Sequence, residues 1–193
     1  NALDPVQPSV VDAGDFFPGI WQTNVIDQTA YGVPWYVDTR LLFYRRDLLA
    51  EAGYANPPTT WAEWIDMLGA IKQRGGSHRY GVLLPLNEYE PLLALALQQQ
   101  APLLRDGDTR GNFRSEDFTR ALRFYREMFD KGFAPATSAN QISNVWDEFA
   151  SGSFTFYFTG PWSIGEFKRR LPESLQASWM TAPLPGPEGL SYS

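Results

Sequence analysis

An α/β domain is the fold class that the sequence predicts, because strand-like and helix-like segments alternate along most of its 193 residues. A helix is indicated by Thr60-Trp-Ala-Glu63, a capping box with Thr as N-cap and Glu as third helical residue, which opens a stretch with apolar residues at helical spacing. A buried strand is indicated by the apolar run Phe154-Thr-Phe-Tyr-Phe158.

The composition limits the classes of function. A net charge of −6 argues against a nucleic-acid surface, which needs a dense basic stripe. No apolar run approaches the roughly 20 residues that a membrane-spanning helix requires. The absence of cysteine excludes disulfides and thiolate chemistry. Aromatic residues make up 15% of the chain, and they fit either a well-packed core or a cleft that stacks on a ligand.

The first part of the chain predicts loops followed by extended structure. Residues 1–32 are polar and contain several Pro and Gly, which predicts loops with one short helix near residues 10–17. Residues 31–44 are rich in β-branched and aromatic side chains, which predicts one long strand or two consecutive strands. A short helix over residues 46–52 is stopped by Gly53.

The next elements follow from caps and turns. The helix that opens at the Thr60 capping box extends to about Arg74, where two glycines end it. A strand over residues 80–84 and a buried helix over residues 91–100 come next. The loop containing Asp106-Gly-Asp108 predicts a small hairpin or turn.

The second half continues the alternation with a long amphipathic helix. Ser115 is its predicted N-cap, and it runs to Lys131 with Gly132 as the residue beyond its end. Four residues at helical spacing form its predicted apolar face: Phe118, Leu122, Tyr125 and Phe129.

A shorter helix begins at Ser143 or Asn144 and is closed by Gly152. The strand over residues 154–158 follows. Ser163-Ile-Gly-Glu166 then predicts a second capping box and a helix to about Leu171, and residues 177–181 predict a last strand. Four tryptophans are assigned to the core of this domain: Trp61, Trp64, Trp146 and Trp179.

Catalytic equipment is sparse. The only histidine, His78, lies in a glycine-rich turn, so Ser-His and Cys-His nucleophilic pairs cannot be assembled. Phosphate-binding and dinucleotide-binding glycine motifs are also missing. Carboxylate pairs are the remaining candidates, and Glu88 and Glu90 are the best placed because they follow a predicted strand.

The predicted long strand carries a second candidate site. Side chains alternate along a strand, so Tyr36, Asp38 and Arg40 would share one face. One interpretation is an edge strand with an Asp38–Arg40 ion pair. The other is the wall of a cleft, with Tyr36 as a platform and Asp38 accepting hydrogen bonds from hydroxyl groups.

Three stretches carry a family resemblance, and they occur in family order over about residues 15 to 190. The first runs from Tyr31-Gly-Val-Pro-Trp-Tyr-Val-Asp to Pro57-Pro-Thr-Thr-Trp61. The second is Phe149-Ala-Ser-Gly-Ser-Phe-Thr-Phe-Tyr-Phe-Thr-Gly-Pro-Trp-Ser-Ile-Gly-Glu166, and the third is Ala182-Pro-Leu-Pro-Gly-Pro-Glu-Gly189. Together they resemble the maltose-binding type of bacterial extracellular solute-binding protein, family 1.

The resemblance implies a class II periplasmic-binding fold, in which two α/β lobes close on a ligand. Residues 1–40 would be a remnant of the N-lobe and the first crossover, residues 41–181 the C-lobe, and residues 182–193 the start of the return crossover. Because both ends of the sequence look cut, we expect the chain to be a piece of a longer protein that includes the rest of the N-lobe.

The resemblance also implies ligand-binding residues. The position of Asp38 binds sugar hydroxyls in the family, that of Tyr36 often contacts ligand, and Trp162 resembles an aromatic residue that stacks on a sugar ring. Glu88 and Tyr89 lie where maltose-type members carry an acid and an aromatic residue. Arg40 completes the expected set.

The implied function is capture of a sugar or oligosaccharide and its delivery to the permease subunits of an ABC importer. The implied location is periplasmic or extracellular and associated with the cell surface, with a lipid anchor on a segment before residue 1. No cofactor, metal, catalytic residue or nucleic acid is implied. Two alternatives stay open: a carbohydrate hydrolase using Glu88 or Asp38, and a receptor for another solute such as a glycerol phosphate.

Overall fold

The structure is a computed structural model that describes residues 3–7, 9–99, 102–142 and 144–191. The chain divides into two units, residues 1–38 and residues 39–193. No helix in these described ranges is both long enough and apolar enough to cross a bilayer.

The first unit contains little regular structure. A single 3₁₀ turn (Ala13–Asp15) precedes helix α1 (Pro18–Gln22), and the short strands β1 (Val25–Ile26) and β2 (Thr29–Ala30) form a hairpin. The two residues between these strands both have positive φ, 48° and 65°, as a tight hairpin turn of primed type requires. The short helix predicted near residues 10–17 is present only as the 3₁₀ turn Ala13–Asp15, and the α-helix begins at Pro18.

The long strand predicted over residues 31–44 is also largely wrong. Residues 31–40 form neither helix nor strand, and regular pairing begins at Leu41. A strand needs hydrogen bonds to a neighbour, and Pro34 has no N–H to donate to one. Residue composition alone therefore overestimated the length of this strand.

The second unit alternates strands and helices, which confirms the predicted α/β class. Its elements are β3 (Leu41–Arg45), α2 (Arg46–Glu51), α3 (Trp61–Gly75), β4 (Tyr80–Leu83), α4 (Glu90–Leu97), β5 (Leu104–Arg105), β6 (Arg110–Gly111), α5 (Glu116–Asp130), α6 (Val145–Ser151), β7 (Phe154–Thr159), α7 (Ser163–Arg170), β8 (Trp179–Ala182), β9 (Leu184–Pro185) and β10 (Leu190–Ser191). Most predicted elements of this unit are confirmed, with ends that differ by one to three residues. Gln100 and Ser143, two of the predicted helix boundaries, lie outside the described residues.

A four-stranded sheet with the order β4-β7-β3-β8 organises this unit. β4 is parallel to β7, whereas β3 is antiparallel to both β7 and β8. The hairpin predicted around Asp106-Gly-Asp108 is present as β5 and β6, and β9 and β10 form another.

Helices cover both faces of the sheet. On one face, side chains such as Leu42 and Phe156 pack with buried residues of α3, α4 and α5, including Trp64. On the other face, Phe43 and Leu83 pack with buried residues of α6 and α7 and with Leu171. Helix α3 approaches β4 closely, since a Cβ added to Gly81 would overlap the side chain of Leu68.

Helix α5 presents a different face to the core from the one predicted. Its buried residues are Ala121, Phe124 and Met128, while Leu122 of the predicted face is exposed. Because the remaining aromatic residues of the predicted face are only partly buried, the apolar stripe is wider than the part that reaches the core.

Three of the predicted caps are confirmed. Thr60 and Glu63 form the reciprocal capping box of α3. The hydroxyl of Ser115 accepts from the backbone N–H of Phe118 at 3.2 Å, and Asn144 caps α6. The capping box predicted at Ser163 is wrong, because the N-cap of α7 is Trp162 and Glu166 is paired with Arg169 and Arg170.

Candidate functional site

The candidate site lies at one edge of the four-stranded sheet. β4 and β7 are parallel, so their carboxyl ends reach the same edge, which is where open α/β sheets bind ligands. β3 is antiparallel to β7 and starts at this edge, with Leu41 paired to Thr159. The residue before β3, Arg40, therefore meets the turn after β7 that contains Trp162, and the loop after β4 brings Glu88.

Trp162 is the aromatic surface of this edge. The residue is 51% exposed. The guanidinium carbon of Arg40 lies over the indole, 5.2 Å from the ring centroid, in a cation–π contact. The indole also lies against the backbone of Gly160, since a Cβ built on this glycine would overlap the six-membered ring. The ring is thus half open to solvent and contacted by two groups of its own unit.

Glu88 supplies a carboxylate in a partly buried environment. Burial raises the pKa of the Glu88 carboxyl, the negative charge of Glu90 raises it further, and the positive charge of Arg40 opposes both. Burial also raises the pKa of the Tyr157 hydroxyl, with a further increase from Glu88. A hydrogen bond with Thr159 and the charge of Arg40 act in the opposite direction. Arg40 therefore influences the aromatic ring, the carboxyl and the phenol of this edge together.

A cavity of about 440 Å³ opens beside these groups. Its polar lining is supplied by Glu88, Tyr157, Asn144 and Arg170. Trp146 also lines it, with the guanidinium carbon of Arg170 5.9 Å from its ring centroid. The remaining lining residues are Leu83, Pro85, Ala139, Ile142 and Val145.

Tyr157 and Arg170 were not among the site residues expected from the sequence. The register of β7 could have identified Tyr157, because it has the opposite parity from Phe156 and Phe158 and so projects from the other face. Arg170 has no comparable signal, since its place depends on how α7 packs. Trp146, assigned to the core, is partly buried and lines the cavity as well.

The structure brings together some of the expected site residues. Arg40, Glu88 and Trp162 belong to the second unit and share the sheet edge. Tyr89, next to Glu88, is 68% exposed. Tyr36 and Asp38 belong to the first unit. The shared strand face predicted for Tyr36, Asp38 and Arg40 is absent, because residues 31–40 form no strand.

Tyr36 lies in a groove of the first unit, about 400 Å³ in volume, that is also lined by Phe16, Phe17 and Trp35. Tyr36 as a whole residue is 73% exposed. Tyr36, Tyr89 and Trp162 are therefore all exposed to solvent at least in part.

The chemistry of the sheet edge suits a neutral, hydroxyl-rich ligand. An indole offers an apolar surface, a guanidinium donates hydrogen bonds, and a carboxylate accepts them. Among the described residues, no group of three or more His, Cys, Asp or Glu side chains could hold a metal ion.

Comparisons with known proteins all find solute-binding proteins. A family model for bacterial extracellular solute-binding proteins matches residues 1–188. The solved structure of the sugar-binding protein MalE from Xanthomonas citri is 55% identical, with a TM-score of 0.88, and the match covers 98% of this chain and 49% of that chain. The galactooligosaccharide-binding protein of Bacillus subtilis is 25% identical over 154 residues, 76% of this chain and 35% of its own length.

A third match is the mannitol-binding protein of Pseudomonas aeruginosa, 24% identical over 78% of this chain and 36% of its own length. The chain thus spans about half of the solved relative and little more than a third of these two curated relatives.

Proposed function

The chain belongs to the bacterial extracellular solute-binding proteins, and from that premise we propose that it is part of the substrate-binding component of an ABC importer. The full-length protein captures a sugar or oligosaccharide between two lobes and delivers it to the permease subunits. The observation that carries this proposal is the half-exposed indole of Trp162, held beside Arg40 at the ligand-binding edge of the sheet.

A sugar explains the combination of groups at this edge. A pyranose ring has an apolar face that stacks on an indole, and its hydroxyls both donate and accept hydrogen bonds. Arg40 donates and Glu88 accepts. Because Arg40 and Glu88 carry opposite charges, the site needs no charge on the ligand to compensate them. The 55% identity to a protein described as sugar-binding supports the same ligand class.

Within this proposal the chain supplies mainly one lobe. Residues 1–40 form the N-lobe remnant and the first crossover, residues 41–181 the C-lobe, and residues 182–193 the start of the return crossover. The match to about half of a solved family member supports a chain that covers part of a bilobal protein. The proposed ligand-binding residues are Tyr36 and Asp38 of the first unit and Arg40, Glu88, Tyr89 and Trp162 of the second unit.

The family is an extracellular one, so we place the protein in the periplasm or outside the cell. Its contact with the membrane is peripheral, through the permease subunits. No catalytic step is part of the proposal.

A carbohydrate hydrolase is the second candidate. The observation that favours it is Glu88, because a partly buried carboxyl with a raised pKa is the equipment of a general acid. A glycosidase needs a second carboxyl roughly 5–10 Å away across the sugar. Asp38 is the other carboxyl named for this candidate function, as an alternative general acid or base.

The test uses the full-length protein with maltose, maltotriose and galactobiose. Titration calorimetry measures binding, and chromatography of the recovered sugar measures hydrolysis. We expect heat of binding for at least one sugar and complete recovery of that sugar. New reducing ends would favour the hydrolase, and binding of glycerol 3-phosphate in place of every sugar would favour the other solute receptor.

A further inference from the structure

The turn Gly160-Pro161-Trp162 has an unusual internal contact. A Cβ built on Gly160 would overlap atoms Cζ3, Cη2 and Cε3 of the Trp162 indole, far closer than carbon atoms approach one another. The six-membered ring therefore rests directly on the backbone of Gly160. Any side chain at position 160 would force the indole to leave its place.

Gly160 is not required by its own backbone conformation. The glycines with positive φ among the described residues are Gly53, Gly76, Gly107, Gly132 and Gly152. An alanine at position 160 therefore meets no positive-φ strain, and the three atoms nearest to its Cβ would all belong to the indole. The absence of a side chain at position 160 makes room for the indole of Trp162 and is not needed for the φ angle of the turn.

Arg40 contacts the same ring from another part of the chain. It precedes β3, whose first residue, Leu41, is paired with Thr159, the last residue of β7. The strand register thus brings Arg40 next to the turn after β7. Its guanidinium carbon lies 5.2 Å from the ring centroid. Two groups that are distant in sequence therefore define where the indole lies.

We propose that Gly160 and Arg40 are positioning residues that hold the indole of Trp162 in the orientation that stacks on a sugar. Gly160 provides the space in which the ring rests, and Arg40 holds the ring by a cation–π contact. Gly160 acts only through Trp162, whereas Arg40 also remains a hydrogen-bond donor to the ligand, so the position of the ring is the readout that tests its positioning role. This inference rests on the proposed function for the stacking step, whereas the placement of the ring can be measured without any sugar.

The first test compares Gly160→Ala with Gly165→Ala in the full-length protein. Gly165 lies in α7, three residues after Trp162, and a Cβ built there has no atom within 4 Å, so it is a matched control. Both variants are labelled with 5-fluorotryptophan, and the ¹⁹F resonance of Trp162 is assigned by its loss in Trp162→Phe. We expect Gly160→Ala to shift this resonance and Gly165→Ala to leave it unchanged.

The same variants are titrated with maltose and galactobiose. For the sugar that binds the unaltered protein, we expect Gly160→Ala to weaken affinity about tenfold, which corresponds to about 1.4 kcal/mol, and Gly165→Ala to leave it unchanged. The denaturation midpoint of each variant shows whether a loss of affinity reflects unfolding.

Arg40 is tested by two substitutions of similar length. Arg40→Lys keeps a cation that can lie over the ring, and Arg40→Met removes it. We expect Arg40→Met to shift the Trp162 resonance and to weaken sugar binding, and Arg40→Lys to restore most of both properties.

The outcomes separate this inference from the proposed function. An unchanged Trp162 resonance in Gly160→Ala overturns the positioning role, whatever the sugar result. A shifted resonance with undiminished affinity overturns it too, since the ring position would not matter for binding. If the unaltered protein binds neither sugar, the proposed function fails for these sugars, while a shifted resonance still supports the role of Gly160 in placing the ring.

Discussion

Two tryptophans of the second unit differ in solvent exposure. Trp64 is completely buried between the sheet and α5, where its ring lies 6.0 Å from that of Phe124 and 6.1 Å from that of Phe156. Trp162 is half exposed at the sheet edge. The first indole fills core volume, whereas the second leaves no closed cavity when it is removed.

This contrast leads to a prediction for two alanine variants of the full-length protein. Trp162→Ala should weaken sugar binding by about 1–3 kcal/mol, roughly 5- to 150-fold, because a large apolar stacking surface is lost, and the fold should survive. Trp64→Ala should cost about 3–5 kcal/mol of stability through the cavity it leaves. Calorimetry and denaturant unfolding of both variants provide the comparison. If Trp162→Ala destabilises like Trp64→Ala and binds sugar normally, Trp162 is a core residue.

Asp47 and Arg45 illustrate a charged pair that joins three elements. Arg45, buried at the end of β3, donates to both carboxylate oxygens of Asp47 in α2, at 2.8 and 2.7 Å. It also donates to the carbonyl oxygens of Phe149 and Ala150 in α6, each at 2.9 Å. Burial alone would raise the pKa of Asp47, but the hydrogen bonds and charge of Arg45, together with the backbone N–H groups of Leu48 and Asp47, outweigh it and lower the pKa below the usual 3.8.

A pH dependence of stability follows from this lowered pKa. The unfolded chain takes up the Asp47 proton at a higher pH than the folded chain does. The contribution of Asp47 is therefore present above the unfolded value of 3.8 and is lost as the pH falls through the lower folded value. We expect Asp47→Asn to flatten the fall in unfolding free energy on the acid side, measured by denaturant unfolding between about pH 2 and 6. An acid limb identical to that of the unaltered protein would contradict this role.

Helices α3 and α7 share a Ser/Thr-x-x-Glu motif, but only in α3 is the first residue of the motif the N-cap. In α3, the Thr60 hydroxyl accepts from the N–H of Glu63 at 3.1 Å, and the Glu63 carboxylate accepts from the N–H of Thr60 at 3.1 Å. In α7 the helix starts one residue earlier than its Ser-x-x-Glu sequence predicts. Ser163 therefore lies inside the helix, where its buried hydroxyl shares a hydrogen bond of 3.1 Å with Thr159.

The cap of α3 can be tested directly. Thr60→Ala should reduce the free energy of unfolding by about 0.5–2 kcal/mol, because the N–H of Glu63 loses its side-chain acceptor. Thr60→Ser keeps the hydroxyl and serves as the control, with a smaller loss expected. Urea unfolding of the two variants side by side measures the difference, and equal losses would mean that the hydroxyl does not carry the effect.

At the scale of the whole molecule, the family relationship identifies the fold. The predicted class II periplasmic-binding fold is confirmed by the match to the sugar-binding protein of Xanthomonas citri, which covers nearly all of this chain and about half of the other. The two units divide between residues 38 and 39. The assignment of lobes and crossovers stays a prediction, because it concerns a protein with a second lobe.

Closure on ligand is the corresponding prediction for the full-length protein. Hinged receptors close around their ligand, and a ligand that binds the closed form better shifts the population towards it. We expect the radius of gyration, measured by small-angle X-ray scattering, to fall when the sugar identified by calorimetry is added. The same sugar concentration should have less effect on Trp162→Ala. Tight binding with an unchanged scattering curve would exclude capture by closure.

Much of the fold could be predicted from the sequence because it depends on local hydrogen bonding and on periodicity. The capping box of Thr60 and Glu63 satisfies donors within one turn, and Asn144 does the same for α6. The apolar run of β7 predicts a buried strand without knowledge of its neighbours. The aromatic residues at positions 36, 89 and 162, by contrast, were named from the family resemblance, and all three are exposed in the structure.

Tertiary structure alone decided the features that depend on distant partners. Residues 31–40 have the composition of a strand but form none, since a strand also needs a neighbour to pair with. The buried face of α5 follows from the surface on which it packs. The sheet edge itself arises because the register of β3 and β7 places Arg40 beside Trp162, two residues that are 122 positions apart in the chain. Local sequence carries no information about such a register, because it is fixed by packing across the whole sheet.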